Sequence, residues 1–170
     1  GEWGGAVFFQ DTHTKGVYRA SSYSPIVVNK LGNDYYITSY YWLMQGITRV
    51  FKITDPSKLD KATLNLGFSD REAFTNEGVE TILDYEAEHF FMFTSFVFRD
   101  KLCHLYSDKN DTHIGEMVNG KIVPIYTFDF KFRAQFNQRT EEGRQILSFH
   151  IPDSESEGVL VIDNGKGVSK

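Results

Sequence analysis

One cysteine, Cys103, is all that the 170 residues carry, so no intrachain disulfide staples the fold. That count suits a reducing compartment, or a secreted bacterial protein that never used cystine. Proline is scarce too, at four residues, which excludes collagen-like and proline-rich extended chains. No apolar run approaches the roughly 18 residues of a membrane-spanning helix, and no charged-then-apolar signal segment is present. With Gly1 rather than Met in first place, an upstream leader is expected to have been removed or left out. Basic clusters are missing as well. Lys and Arg number 18 against 23 Asp and Glu, for a net charge of −5, and without a dense positive face nucleic acid is not an expected partner. The chain contains no Gly-x-Ser-x-Gly, phosphate loop or dinucleotide fingerprint. Its five histidines, His13, His89, His104, His113 and His150, form no His-x-His or His-x-x-x-His pair, so neither a metal site nor a cofactor is expected.

What is present is aromatic. Fifteen Phe, nine Tyr and two Trp make 15 % of a chain that is 41 % hydrophobic and 24 % charged. Such large flat side chains pack well on a pleated surface, and the balance is that of one folded domain burying about 70 % of its unfolded surface. Period-two alternation predicts about a dozen strands, at 6–10, 16–20, 25–31, 34–41, 46–53, 62–67, 79–84, 88–97, 102–107, 113–118, 121–130, 145–151 and 158–162. Turn chemistry separates them at Leu31-Gly32-Asn33-Asp34, Asn119-Gly120 and Asp163-Asn164-Gly165. Helix signals are brief: Asp55-Pro56-Ser57-Lys58-Leu59 places a capping Asp before Pro, and Ser69-Asp70-Arg71-Glu72 reads as a capping box. The polar stretch 139–144 reads as an exposed loop.

The chain also echoes itself. Tyr35-Tyr36-Ile37-Thr38-Ser39-Tyr40 followed by Val50-Phe51 returns about fifty-six residues later as Phe91-Met92-Phe93-Thr94-Ser95-Phe96 followed by Leu105-Tyr106. A weaker third copy joins Ile146-Leu147-Ser148 to Leu160-Val161-Ile162. Such a period marks one supersecondary unit stacked on its copies. The expected fold is therefore all-β and antiparallel, with repeated four-stranded units of about 56 residues in a propeller-like arrangement. The alternative is a closed barrel, lipocalin-like or trefoil. The expected organisation is a single domain over 1–170 with three repeats, at about 1–60, 61–120 and 121–170.

Gly1-Glu2-Trp3-Gly4-Gly5 with Ala6-Val7-Phe8-Phe9, then Asn33-Asp34-Tyr35-Tyr36-Ile37-Thr38 and Phe51-Lys52-Ile53-Thr54-Asp55-Pro56-Ser57-Lys58-Leu59, resembles bacterial cell-envelope proteins of propeller-like type. The likeness covers about the first sixty residues and extends to the hairpin ending Asn119-Gly120-Lys121-Ile122-Val123-Pro124. It implies an extracytoplasmic location, in the periplasm, at the cell surface or secreted, and it carries no active site. Gly1-Glu2-Trp3 also resembles the Gly-x-Trp opening of lipocalin-like barrels, although the amphipathic helix expected near a lipocalin's C-terminus is missing.

Few residues carry chemistry. Asp108-Lys109-Asn110-Asp111-Thr112 begins like a calcium loop, but His113 and Asn119 stand where the full pattern needs Gly and Glu, so a solvated turn is expected. The acidic run 152–158 reads as a soluble loop. Cys103 and His104 are neighbours on one strand, so they point to opposite faces and form no nucleophile and base pair. Acids gather at Glu77, Glu80, Asp84, Glu86 and Glu88, and a pair of them at the right separation would serve glycoside hydrolysis. Phe128, Phe130 and Phe132 alternate with Asp129, Lys131 and Arg133 as on a half-buried strand. Tyrosines fall on both faces of 34–41, which leaves rings for a ring-stacking contact with a sugar or peptide.

The expected function is a non-enzymatic binding or interaction module of the bacterial envelope or exterior, with Tyr35, Tyr40, Tyr41 and Trp42 as its contact surface. Its partner would be a glycan, peptide or protein, and a homodimer would complete an open ring. Two rivals stand beside it: a glycosidase using two of Glu80, Asp84, Glu86 and Glu88, and a lipocalin-like carrier of a small apolar ligand.

Overall fold

The computed structural model describes residues 5–62, 75–152, 154, 156–163 and 166–169. It is all-β and antiparallel, in four sheets. The first sheet holds β1 (Ala6–Gln10), β2 (Val17–Ser21) and β6 (Asp60–Lys61) in the order β1-β2-β6. The second holds β3 (Pro25–Leu31), β4 (Asp34–Leu43), β5 (Gln45–Ile53) and β7 (Glu80–Ala87), in that order. In the third, β8 (Phe91–Phe98), β9 (Lys101–Ser107), β10 (Thr112–Val118) and β11 (Lys121–Thr127) run as a meander, and the fourth repeats it with β12 (Arg133–Arg139), β13 (Gln145–His150), β14 (Glu157–Asp163) and β15 (Lys166–Ser169).

Local chemistry accounts for the joints. The β10–β11 turn is Asn119-Gly120, with φ of 50° and 74°, the left-handed pair that matches strand twist in a two-residue hairpin. The 3-10 turn Pro56–Lys58 starts where the Asp55 carboxylate accepts from the Ser57 amide at 3.0 Å. The capping box at Ser69-Asp70-Arg71-Glu72 and most of the strand expected at 62–67 lie outside the described residues.

Sheets pack face to face in chain order, and side chains fill each interface. Ala20, Ile37, Ile53 and Leu59 join the first sheet to the second. Val50, Leu83 and Leu102, with Phe90, Met92 and Tyr106, join the second to the third. Phe96, Leu105, Phe132, Leu147, Leu160 and Ile162 join the third to the fourth. No ladder links one sheet to the next among the described residues, so the closed barrel, lipocalin-like or trefoil, is not the architecture. Nor do the described sheets close into a ring. The physical reason is that each meander ends at a turn that carries the chain across to a new sheet, and edges such as β7 are never hydrogen-bonded to the following one.

The echo survives as a hairpin. Thr38 pairs with Val50 in β4–β5, and Thr94 pairs with Leu105 in β8–β9, so the copied residues hold the same register. Yet β4 is the second strand of its sheet, whereas β8 is the first of its own. The spacing of about fifty-six residues therefore separates two hairpins and is not the length of a sheet.

Two expectations about strands need correcting. The chain leaves the third sheet after Thr127, and the Phe128 and Phe132 amides both turn onto Thr112, so Phe128, Phe130 and Phe132 do not share a strand face. They cluster nonetheless, with Phe128 edge-on to Phe132 at 5.1 Å and Phe132 against Phe149 at 4.5 Å. Strand β12 goes unanticipated because Arg133-Ala134-Gln135-Phe136-Asn137-Gln138-Arg139 has no β-branched residue. Its polar side chains work between sheets instead: Arg139 donates to the Val28 carbonyl at 2.9 Å and to Asn29 Oδ1 at 2.8 Å.

Candidate functional site

The four aromatic residues singled out in the sequence part company in the fold. Tyr35 belongs to the interface of the first two sheets, edge-on to Phe9 at 5.2 Å. Tyr40 points into the next interface, where its hydroxyl donates to the Phe90 carbonyl at 3.2 Å, and burial pushes its phenol up to about 12. Tyr41 lies on the opposite face of β4, beside Tyr23 at 5.8 Å. Trp42 is half exposed near the end of the β4–β5 hairpin. Trp42 is the member of the four that opens onto a bare surface; its ring shares Tyr40's side of β4, against Phe91, while Tyr41 faces the other way.

That surface is the hairpin tip. Trp42, Leu43 and Met44 are 49 %, 66 % and 92 % exposed, three consecutive large apolar side chains in water. Met44 alone makes the turn, between Leu43 and Gln45, at φ 64°. Outside glycine and asparagine that left-handed geometry costs roughly 1–2 kcal/mol, so the turn itself does not call for a methionine. Trp42 lies on Phe91, the first residue of β8, with centroids 5.1 Å apart and planes 1° from parallel. The Arg133 guanidinium, which opens β12, is 5.7 Å from the same Phe91 ring. The tip thus carries one arginine beside its rings and draws on the second, third and fourth sheets. Sequence reading missed Leu43 and Met44 because a lone apolar pair after a strand looks like its continuation.

Beneath the tip runs a buried polar seam. Thr38 Oγ1 and Ser95 Oγ are 2.8 Å apart, and Ser95 Oγ is 2.7 Å from His104 Nδ1. Asn137 donates to Thr94 Oγ1 at 2.9 Å, Thr94 donates to Gln145 Oε1 at 2.8 Å, and Gln145 donates to the Ser95 carbonyl at 2.8 Å. Three sheets are tied together this way. Ser95 and His104 have the contact of a nucleophile and its base, but both are sealed from solvent. His104 Nε2 has no partner among the described residues, so no third group orients the ring for catalysis. Burial drops the His104 pKa to about 4. Cys103 faces the other way, into the third interface, and burial, with Glu116 nearby, pushes its thiol up to about 11.

The acids of β7 have different partners. Asp84 pairs with Arg49 at 3.2 Å, Glu86 accepts from Gln45, and Glu80 lines a separate groove with Lys52 and Asp55. At 108–112, Asp108 accepts from the Asn110 and Asp111 amides at 2.8 and 2.9 Å, and its other oxygen is 3.1 Å from His113 Nε2. Burial works against that carboxylate, but the Asp111 and Asn110 amides and His113 hold it below the usual range. Lys131 donates to the Asp108 and Lys109 carbonyls, so an ammonium gathers this loop. Among the described residues no three His, Cys, Asp or Glu are grouped to hold a metal, and no helix is long and apolar enough to cross a membrane.

Compared with known proteins, the chain matches no family model, no curated protein and no solved structure.

Proposed function

We propose that this chain is a non-enzymatic interaction module whose contact surface is the β4–β5 hairpin tip, with Trp42, Leu43 and Met44 as its apolar anchors. The observation that carries the reading is the 92 % exposure of Met44 at φ 64°. An apolar side chain in a strained, solvent-facing turn is a feature that folding alone does not reward. Exposed aromatic and Met side chains are also the residue types enriched where partners dock. The partner that fits is a protein or peptide with an apolar recess, and Arg133 at the rim supplies one charged contact.

The sheets are read as blades of a propeller-like array. Four face-packed antiparallel sheets support this, since blades of that kind leave only short edges exposed. A bacterial envelope or exterior location rests on the sequence resemblance alone. The reading is tested by selecting displayed peptides and small domains against the protein, then measuring each binder on the triple variant Trp42→Ser, Leu43→Ser, Met44→Ser. Binders are expected to weaken by about tenfold or more, as for loss of an apolar hot spot. Undiminished binding of every selected partner refutes the surface.

A further inference from the structure

A cleft of about 480 Å³ runs between the outer edge of the second sheet and the β9–β11 side of the third. Asp84 and Tyr85 of β7, Phe90, Tyr106, Asp108 and Lys121 are among the residues that line it. Phe90 and Tyr106 stack at 5.0 Å to make an apolar floor. Tyr85, exposed to 43 %, stands edge-on to Phe90 at 4.9 Å as a wall. The Asn119-Gly120 turn reaches over toward the Ile82 carbonyl of β7, narrowing the cleft on that side. Its lining shares no residue with the hairpin tip.

We propose that this cleft binds a neutral saccharide, one or two pyranose units long. The volume lies within the range of small-ligand sites, and the lining has the two-sided character of a sugar ring. A pyranose presents a C–H face, which suits Tyr85 and the apolar floor, and a rim of hydroxyls that both donate and accept. Asp84 and Asp108 accept from such hydroxyls and Lys121 donates to them. Charge argues for neutrality: Asp84 is already held by Arg49 at 3.2 Å, and Asp108 by two amides and His113. The two lining carboxylates are matched by the ammonium of Lys121 and by the Arg49 guanidinium paired to Asp84, so the cleft carries no excess charge of either sign for an ionic ligand.

The test is titration of isotope-labelled protein with millimolar methyl glycosides of glucose, galactose, mannose and N-acetylglucosamine, and with their disaccharides. Lysine-rich and aspartate-rich tripeptides serve as charged comparators. Saturable amide shifts are expected at 83–85 and 120–122 with at least one saccharide, together with about tenfold weaker binding in Tyr85→Ala. Tyr85 is exposed, so its removal leaves the core intact, and the wild-type shift map stands without any variant. Absence of a saturable shift from every saccharide, shifts from a charged tripeptide alone, or binding unchanged in Tyr85→Ala overturns the proposal. The hairpin-tip variant is expected to bind saccharide normally, so this cleft and the tip fail or stand separately.

Discussion

The indole of Trp42 lies flat on the ring of Phe91, centroids 5.1 Å apart and planes 1° from parallel. One residue is the last but one of β4 in the second sheet and the other begins β8 in the third, so the exposed tip is fastened to a neighbouring sheet as well as to its own hairpin. A contact surface held in this way loses little rotamer freedom when a partner arrives.

Phe91→Ala removes the platform. The stacked pair contributes about 1 kcal/mol beyond buried area, so a lower denaturant midpoint is expected along with a red-shifted tryptophan emission as the covered face of Trp42 is bared. An unchanged midpoint and emission would show that the stack holds nothing in place.

His104 makes the second sheet's hold on the third sensitive to acid. Its folded pKa is about 4 against an ordinary value of 6.5, so below 6.5 the unfolded chain takes up a proton that the native fold refuses. The contribution is complete above pH 6.5 and is lost progressively as pH falls toward 4, amounting to on the order of 3 kcal/mol. Denaturant titrations across that window are expected to show a steep loss of stability for the wild type and a shallower one for His104→Gln. Equal slopes in the two proteins contradict this role.

Gly46 sits at the foot of the tip, paired with Trp42 on one side and Ala87 on the other. A Cβ there would run into the Phe90 carbonyl, and a backbone atom cannot swing aside. Gly46→Ala is expected to lose roughly 1–3 kcal/mol, read as a lowered melting midpoint. A variant as stable as the wild type would mean that the hairpin does not pack on the β7–β8 connection.

Cys103 should be chemically silent. It is buried with its thiol pushed up to about 11, and the thiolate is the reactive form. A thiol reagent at pH 8 is expected to label it at full rate only after unfolding. Rapid labelling of the native protein would place the residue at the surface.

Much of the strand pattern can be read directly from residues. The alternation at 25–31 and the Asn119-Gly120 turn appear where the fold has them, because period two and positive φ are local properties. The Thr-Ser pairs of the echo prove more informative than their position on ordinary strands implies. Thr38 of the first copy meets Ser95 of the second at 2.8 Å, a contact between copies that no local rule foretells. What stays hidden depends on sheet-to-sheet packing. Arg133 looks like the solvated face of a strand and Arg139 like a loop charge until β12 lies beside β8 and β3, and Tyr35 and Tyr40 look surface-ready until the neighbouring sheets cover them. Leu43 and Met44 escape for the opposite reason, since burial is the default reading of an apolar pair and only the fold leaves them bare.

The most direct test follows the methyl group of Met44 by nuclear magnetic resonance, with Met92, which is buried, as the internal reference. On adding any partner selected against the protein, the Met44 methyl is expected to shift and broaden while that of Met92 stays in place. A bound partner that leaves Met44 unmoved would contradict the hairpin tip as the contact surface.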